Sequence, residues 1–132
     1  MIAVDTNVVV RLLVGDDPKQ AAAAKLLFAA EQIWIAKTVL LETEWVLRSH
    51  YGFDVSAIRD AFTMLLGLTN VQTDDQASMA AALALTSHGI ELADAIHLTG
   101  RPPGATFVSF DKAFIKRTKR AGATGVSAVG AK

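Results

Sequence analysis

Four carboxylates in this 132-residue chain invite a chemical reading: Asp5, Glu42, Asp94 and Asp111. Asp5 follows the short apolar run Ile2-Ala3-Val4, and Asp111 comes directly after the β-rich Thr106-Phe107-Val108-Ser109 and Phe110. Each therefore falls where a buried strand would end, and open α/β sheets bind ligands at strand ends. Both also precede a helix, so N-capping is the ordinary reading of each. Glu42 and Asp94 have weaker ordinary readings. If Thr38 to His50 is a helix, Glu42 shares a face with Val39, Trp45 and Val46, and no cation lies one turn away. Glu44, by contrast, has Arg48 four residues on and reads as half of a surface ion pair. An unpaired carboxylate on an apolar face is costly until something cationic meets it. Asp94 is expected in the middle of a helix over Glu91 to Thr99, where aspartate has poor propensity. A contact with His97 is its alternative.

Two strand ends and two helix faces would thus each bring one acid to a common crevice. Four such groups repel one another, which raises some of their pKa values unless a cation sits between them. Cysteine is absent, and His50, His88 and His97 lack metal-ligand spacing. An oxygen-only donor set suits Mg2+ or Mn2+ rather than Zn2+.

The elements that must hold these acids can be read from periodicity and punctuation. A first helix after Asp5 runs to about Leu13 and stops at Gly15. Asp16-Asp17-Pro18 opens a second, alanine-rich helix through Ala30. Ile33 to Ile35 is a short strand, Thr38 to His50 a helix, and Asp54 caps another through Leu66. Val71 to Thr73 reads as an edge strand, and Asp74-Asp75 as the cap of a helix from Gln76 to Ser87. Gly100-Arg101-Pro102-Pro103-Gly104 ends the Glu91 helix. Thr106 to Ser109 is a strand, a helix follows Asp111 through Arg120, and Gly122 to Val129 adds a last strand. Alternation of this kind predicts α/β architecture: a three-layer α/β/α sandwich on a short central parallel sheet, with residues 1–132 as one domain.

Composition narrows the setting. The chain is 52% hydrophobic, above any disordered composition, and its 13 basic and 13 acidic residues cancel. The basic residues are unevenly spread: Lys112, Lys116, Arg117, Lys119 and Arg120 crowd one segment, which can serve as a phosphate-binding stripe or simply as a solvated helix face. No signal-peptide core, no apolar run of about 18 residues and no cysteine together predict a cytoplasmic protein that does not meet a membrane. Nucleophile elbows, Walker loops and dinucleotide fingerprints are absent.

Val4-Asp5-Thr6-Asn7, Leu41-Glu42 in a Trp-containing helix, Ala93-Asp94-Ala95-Ile96-His97-Leu98 and Phe107-Val108-Ser109-Phe110-Asp111 occur in that order along nearly the whole chain. The set resembles the successive motifs of PIN-domain nucleases, and the chain's size is similar to that of VapC-type toxins. The resemblance implies Mg2+- or Mn2+-dependent cleavage of RNA by Asp5, Glu42, Asp94 and Asp111. It implies supporting roles for Thr6 and Asn7, for Glu91 at an additional acidic position, and for Ser109 where many members carry Thr. In that picture Lys112, Lys116 and Arg117 hold RNA. A homodimer and a cognate antitoxin, which inserts basic residues into the acidic pocket, are the implied partners. Apolar surface around Ala21 to Phe28 is a candidate contact for them. Two other functions compete. An aspartyl-phosphate phosphohydrolase would use Asp5 as nucleophile, but such enzymes usually carry a second Asp where this chain has Asn7. A non-catalytic RNA- or protein-binding module would have no need of four intact acids.

Overall fold

Short strands and helices alternate in the computed structural model, which describes residues 1–131, and their bounds follow the caps and apolar runs closely. The chain divides into two units, Met1–Gln76 and Ala77–Lys132. The first holds β1 (Ile2–Ala3), α1 (Thr6–Val14), α2 (Pro18–Ala30), β2 (Ile33–Trp34), α3 (Lys37–Ser49), α4 (Val55–Leu66) and β3 (Val71–Gln72). Its three strands form a parallel sheet in the order β1-β2-β3, with Ile2 beside Ile33 and Ile33 beside Val71. Ile33 in the central strand and Ile35 just after it have no exposed surface, and Leu40, Leu47 and Phe62 are as fully buried in the core.

Helix ends in this unit are fixed by the residues that the sequence marks for them. Asp5 and Asp17 accept from the backbone N–H of Val8 and Gln20 at 3.2 and 3.1 Å, and Asp54 accepts from Ala57 at 2.8 Å. Gly15 ends α1 at φ 73°, a left-handed conformation that a side chain would strain. Two further ends are held from a distance. The Asn70 amide donates to the carbonyls of Phe28 and Glu31 at the end of α2. The Asp74 carboxylate accepts from Lys37 N–H at 2.8 Å, at the start of α3. Asp74 is therefore engaged with α3, where the sequence points only to the helix that follows it.

The second unit contains α6 (Leu92–Thr99), β4 (Phe107–Ser109), α7 (Lys112–Arg120) and β5 (Val126–Ala128), preceded by α5 (Gln76–Leu85), whose first residue closes the first unit. A 3-10 turn over Thr86–His88 finishes the segment expected to be helical through Ser87. β4 and β5 pair in parallel, Phe107 with Val126 and Ser109 with Ala128, and α7 packs on both. The class is α/β with short parallel strands, as expected. Among the described residues, no helix is long and apolar enough to cross a membrane.

Candidate functional site

In the first unit the candidate residues gather around the start of α1. Asp5 caps that helix with one carboxylate oxygen, in extended backbone at φ −94° and ψ 178°. Capping leaves its other oxygen unengaged by any described residue, so capping and ligand binding do not compete. Thr6, the first helical residue, is buried, and its hydroxyl donates a hydrogen bond to Oε1 of Glu42 on α3. This bond couples the two acids of the unit through adjacent residues, and Glu42 keeps Oε2 unengaged. Asn7 is exposed.

The face of α3 is a correction. Its buried residues are Leu40, Thr43, Glu44 and Leu47, so Glu42 lies on the exposed side and Glu44 inside. Trp45 is 58% exposed and so is not part of the core. Glu44 answers its burial with Arg48 at 2.9 Å, while Thr43 donates to Val39 C=O at 2.7 Å. Glu42 is thus free of any burial penalty; its one protein partner is a hydroxyl, and no described cation pairs with it.

Beside Asp5 lies a cavity of about 370 Å3 between α1 and α2. Val8, Ala23, Ala24 and Leu27 line it with apolar surface, and Asp5, Asn7, Arg11 and Gln20 add polar groups. Arg11 is fixed there by three partners: Nε donates to Gln20 at 2.8 Å, and Nη1 to Asp16 at 3.1 Å and to the Tyr51 hydroxyl at 3.3 Å. Tyr51 in turn donates to the second oxygen of Asp16 at 2.8 Å. That hydroxyl, then the Arg11 charge, hold the Asp16 carboxyl below the ordinary aspartate value, and the same contacts raise Arg11. This cluster was not singled out in the sequence. Its one local trace is the spacing of Arg11 and Asp16 across Gly15, because Tyr51 lies 40 residues from Arg11. The proposed contact face from Ala21 to Phe28 is divided: Ala21, Ala24 and Phe28 are buried, whereas Leu26 is 72% exposed.

In the second unit, Asp111 caps α7 by accepting from Phe114 N–H at 3.0 Å, which leaves its second oxygen unengaged. Its own N–H donates to Ser109 Oγ at 3.0 Å, so the hydroxyl that the sequence marks as supporting fixes the turn carrying the acid. Asp94 is a second correction. Helix α6 starts at Leu92 with Glu91 as its N-cap, which puts Asp94 in the first turn rather than mid-helix. A carboxylate is favoured there by the helix dipole. Asp94 is half-buried, Glu91 and His97 are exposed, and no hydrogen bond links Asp94 to His97 within the unit. Along α7, Lys112, Lys116 and Arg117 are all exposed, opposite buried Phe114, Ile115 and Thr118. Phe110, beside the Asp111 cap, is 84% exposed.

All four acids therefore retain at least one oxygen without a described protein donor, and none forms an ion pair with a described cation. Such donors fit a hard divalent ion. Among the described residues, no three His, Asp or Glu side chains are gathered closely enough to hold one by themselves.

Comparison with protein-family models matches residues 2–120 to the PIN domain. Searches among curated proteins and among solved structures found no match. PIN domains are in general nucleases that use a divalent metal, typically Mg2+. The matched span contains all four acids, the Thr6–Glu42 bond and the Ser109–Asp111 turn, and the chain belongs to the PIN domain family.

Proposed function

We infer that the protein is an endoribonuclease that hydrolyses RNA phosphodiester bonds with Mg2+ or Mn2+, held by Asp5, Glu42, Asp94 and Asp111. The observation that carries this reading is the PIN-domain match over residues 2–120, which spans all four acids. Each keeps an unengaged oxygen, and no described cation neutralises any of them. A bound hard cation supplies a water of lowered pKa and offsets charge on the scissile phosphate. The chain supplies the rest. Asp5, Asp94 and Asp111 would be the metal ligands, and Glu42, which the Thr6 hydroxyl orients, would hold a second ion or the attacking water. The Ser109 hydroxyl keeps the Asp111 turn in shape, and the motif resemblance gives exposed Asn7 and Glu91, near Asp5 and Asp94 in sequence, supporting roles. Exposed Lys112, Lys116 and Arg117 hold the phosphate backbone of RNA.

The biological role we assign is that of the toxin in a toxin–antitoxin pair, a cytoplasmic homodimer with 1–132 as one nuclease domain. The PIN-domain match over residues 2–120 and the motif resemblance support it. Acids without a described cation also give an antitoxin arginine a charge to meet in place of the metal. Purified protein should cut RNA in Mn2+, lose activity to a chelator and regain it with added metal. Asp5→Asn should reduce the rate at least 100-fold, and cleavage by that variant at the parental rate would overturn the metal-site reading.

A further inference from the structure

The cavity between α1 and α2 has no part in the reaction proposed so far, yet Asp5 forms part of its wall. We propose that it is a nucleobase subsite, taking the base of the ribonucleotide next to the phosphate at Asp5. The proposal rests on the ribonuclease reading and adds to it a determinant of where RNA is cut.

Size and lining carry the argument. A volume of about 370 Å3 lies at the small end of the range for small-molecule sites, roughly 300–1,000 Å3, and suits one nucleoside. Val8, Ala23, Ala24 and Leu27 offer the apolar surface that the faces of a base require. Each helix also contributes one amide to the lining, Asn7 and Gln20, which suits the alternating donors and acceptors of a base edge. The Asn7 amide is exposed and hydrogen-bonded to no described residue, so its donor and acceptor are both available. Gln20 is committed through Oε1 to Arg11, which leaves the Nε2 hydrogens to donate. Arg11 cannot swing away while Asp16, Tyr51 and Gln20 hold it, so one wall is rigid before any ligand arrives. What favours a base over a partner protein's apolar side chain is the pair of amides, from Asn7 and Gln20, in one lining.

The test titrates isotopically labelled protein, without added metal, with each of the four ribonucleosides and with N-acetyl-leucinamide. At least one nucleoside should shift the amide signals of Asn7, Val8, Ala23 and Leu27 saturably. Ala23→Phe, at an exposed position that fills the cavity, should weaken that binding at least tenfold, and Ala23→Leu should weaken it less. Ala22→Phe, outside the lining, should leave it unchanged. Mapping of RNA ends should show Ala23→Phe still cutting, but with the base preference beside the cut lost. Shifts with the leucine amide and none with nucleosides would overturn the proposal in favour of a protein side chain. Unaltered binding and cut sites in Ala23→Phe would overturn it too, while loss of cleavage in Asp5→Asn left the nuclease reading standing. A cavity that binds nucleosides in a protein that cuts no RNA would sustain the subsite and end the nuclease reading.

Discussion

Thr6 occupies an unusual position for a threonine at the start of a helix. Its hydroxyl is turned away from the capping work done by Asp5 and reaches Glu42 on another helix. Removing it leaves the Glu42 carboxylate unoriented. Thr6→Val should lower stability by about 1 kcal/mol in urea unfolding, since Glu42 stays open to water. Thr6→Ser should retain most of it, and if Glu42 acts in cleavage, Val should slow the reaction more than Ser does. The Asp16 cluster gives a second prediction at this scale. A carboxyl held below its ordinary pKa in the folded state binds its proton later than in the unfolded chain. Its stabilisation is therefore complete above about pH 4 and disappears as pH falls through the lowered folded value. Tyr51→Phe removes the largest cause of that shift. The Asp16 carboxyl signal in an NMR titration should then move to higher pH, and an unmoved midpoint would show that the hydroxyl is not the cause.

At the scale of elements, α3 explains what could and could not be read from sequence. Val39 and Val46 form one apolar stripe and Leu40 and Leu47 another, one residue round the helix. Either could have faced the core, and spacing alone does not choose between them. The fold buries the leucine stripe, which takes Glu44 inside and leaves Glu42 out. Asp94 lies in the first turn of α6, a place as local as a cap. Strand-end acids were legible because caps depend on immediate neighbours: Asp5 and Asp111 cap their helices as the sequence predicts. The strands before them are not buried as expected: β1 before Asp5 is exposed, and β4 before Asp111 is only half-buried at its ends. The Glu44–Arg48 pair can be tested directly. Arg48→Ala leaves a carboxylate that is 8% exposed without its guanidinium and should cost about 1–2 kcal/mol, discounted because Arg48 itself is well exposed. Adding Glu44→Leu should recover most of that loss in thermal unfolding. Failure to recover would mean that the Leu40–Leu47 face has no room for the leucine.

At the scale of the whole chain, balanced charge hides a strong local field. Thirteen basic and thirteen acidic residues cancel, but α7 ends in Arg117, Lys119 and Arg120, at the terminus where cations are favoured. RNA responds to local potential rather than to the sum. Reversing Lys116 and Arg117 to Glu should weaken RNA binding and flatten its salt dependence by about 1.4 in log–log slope, for two phosphate contacts on a single strand. Unchanged binding at low salt would remove α7 from the RNA surface. The order in which the chain is made adds one more consequence. Helix α3, which carries Glu42, is capped at its start by Asp74, a residue 37 positions later and close to the end of the first unit. A nascent chain emerging from the ribosome completes the segment of Glu42 before it can finish the helix that presents it. The first unit is built so that its second acid waits for its last few residues, and a product truncated before position 74 lacks that cap.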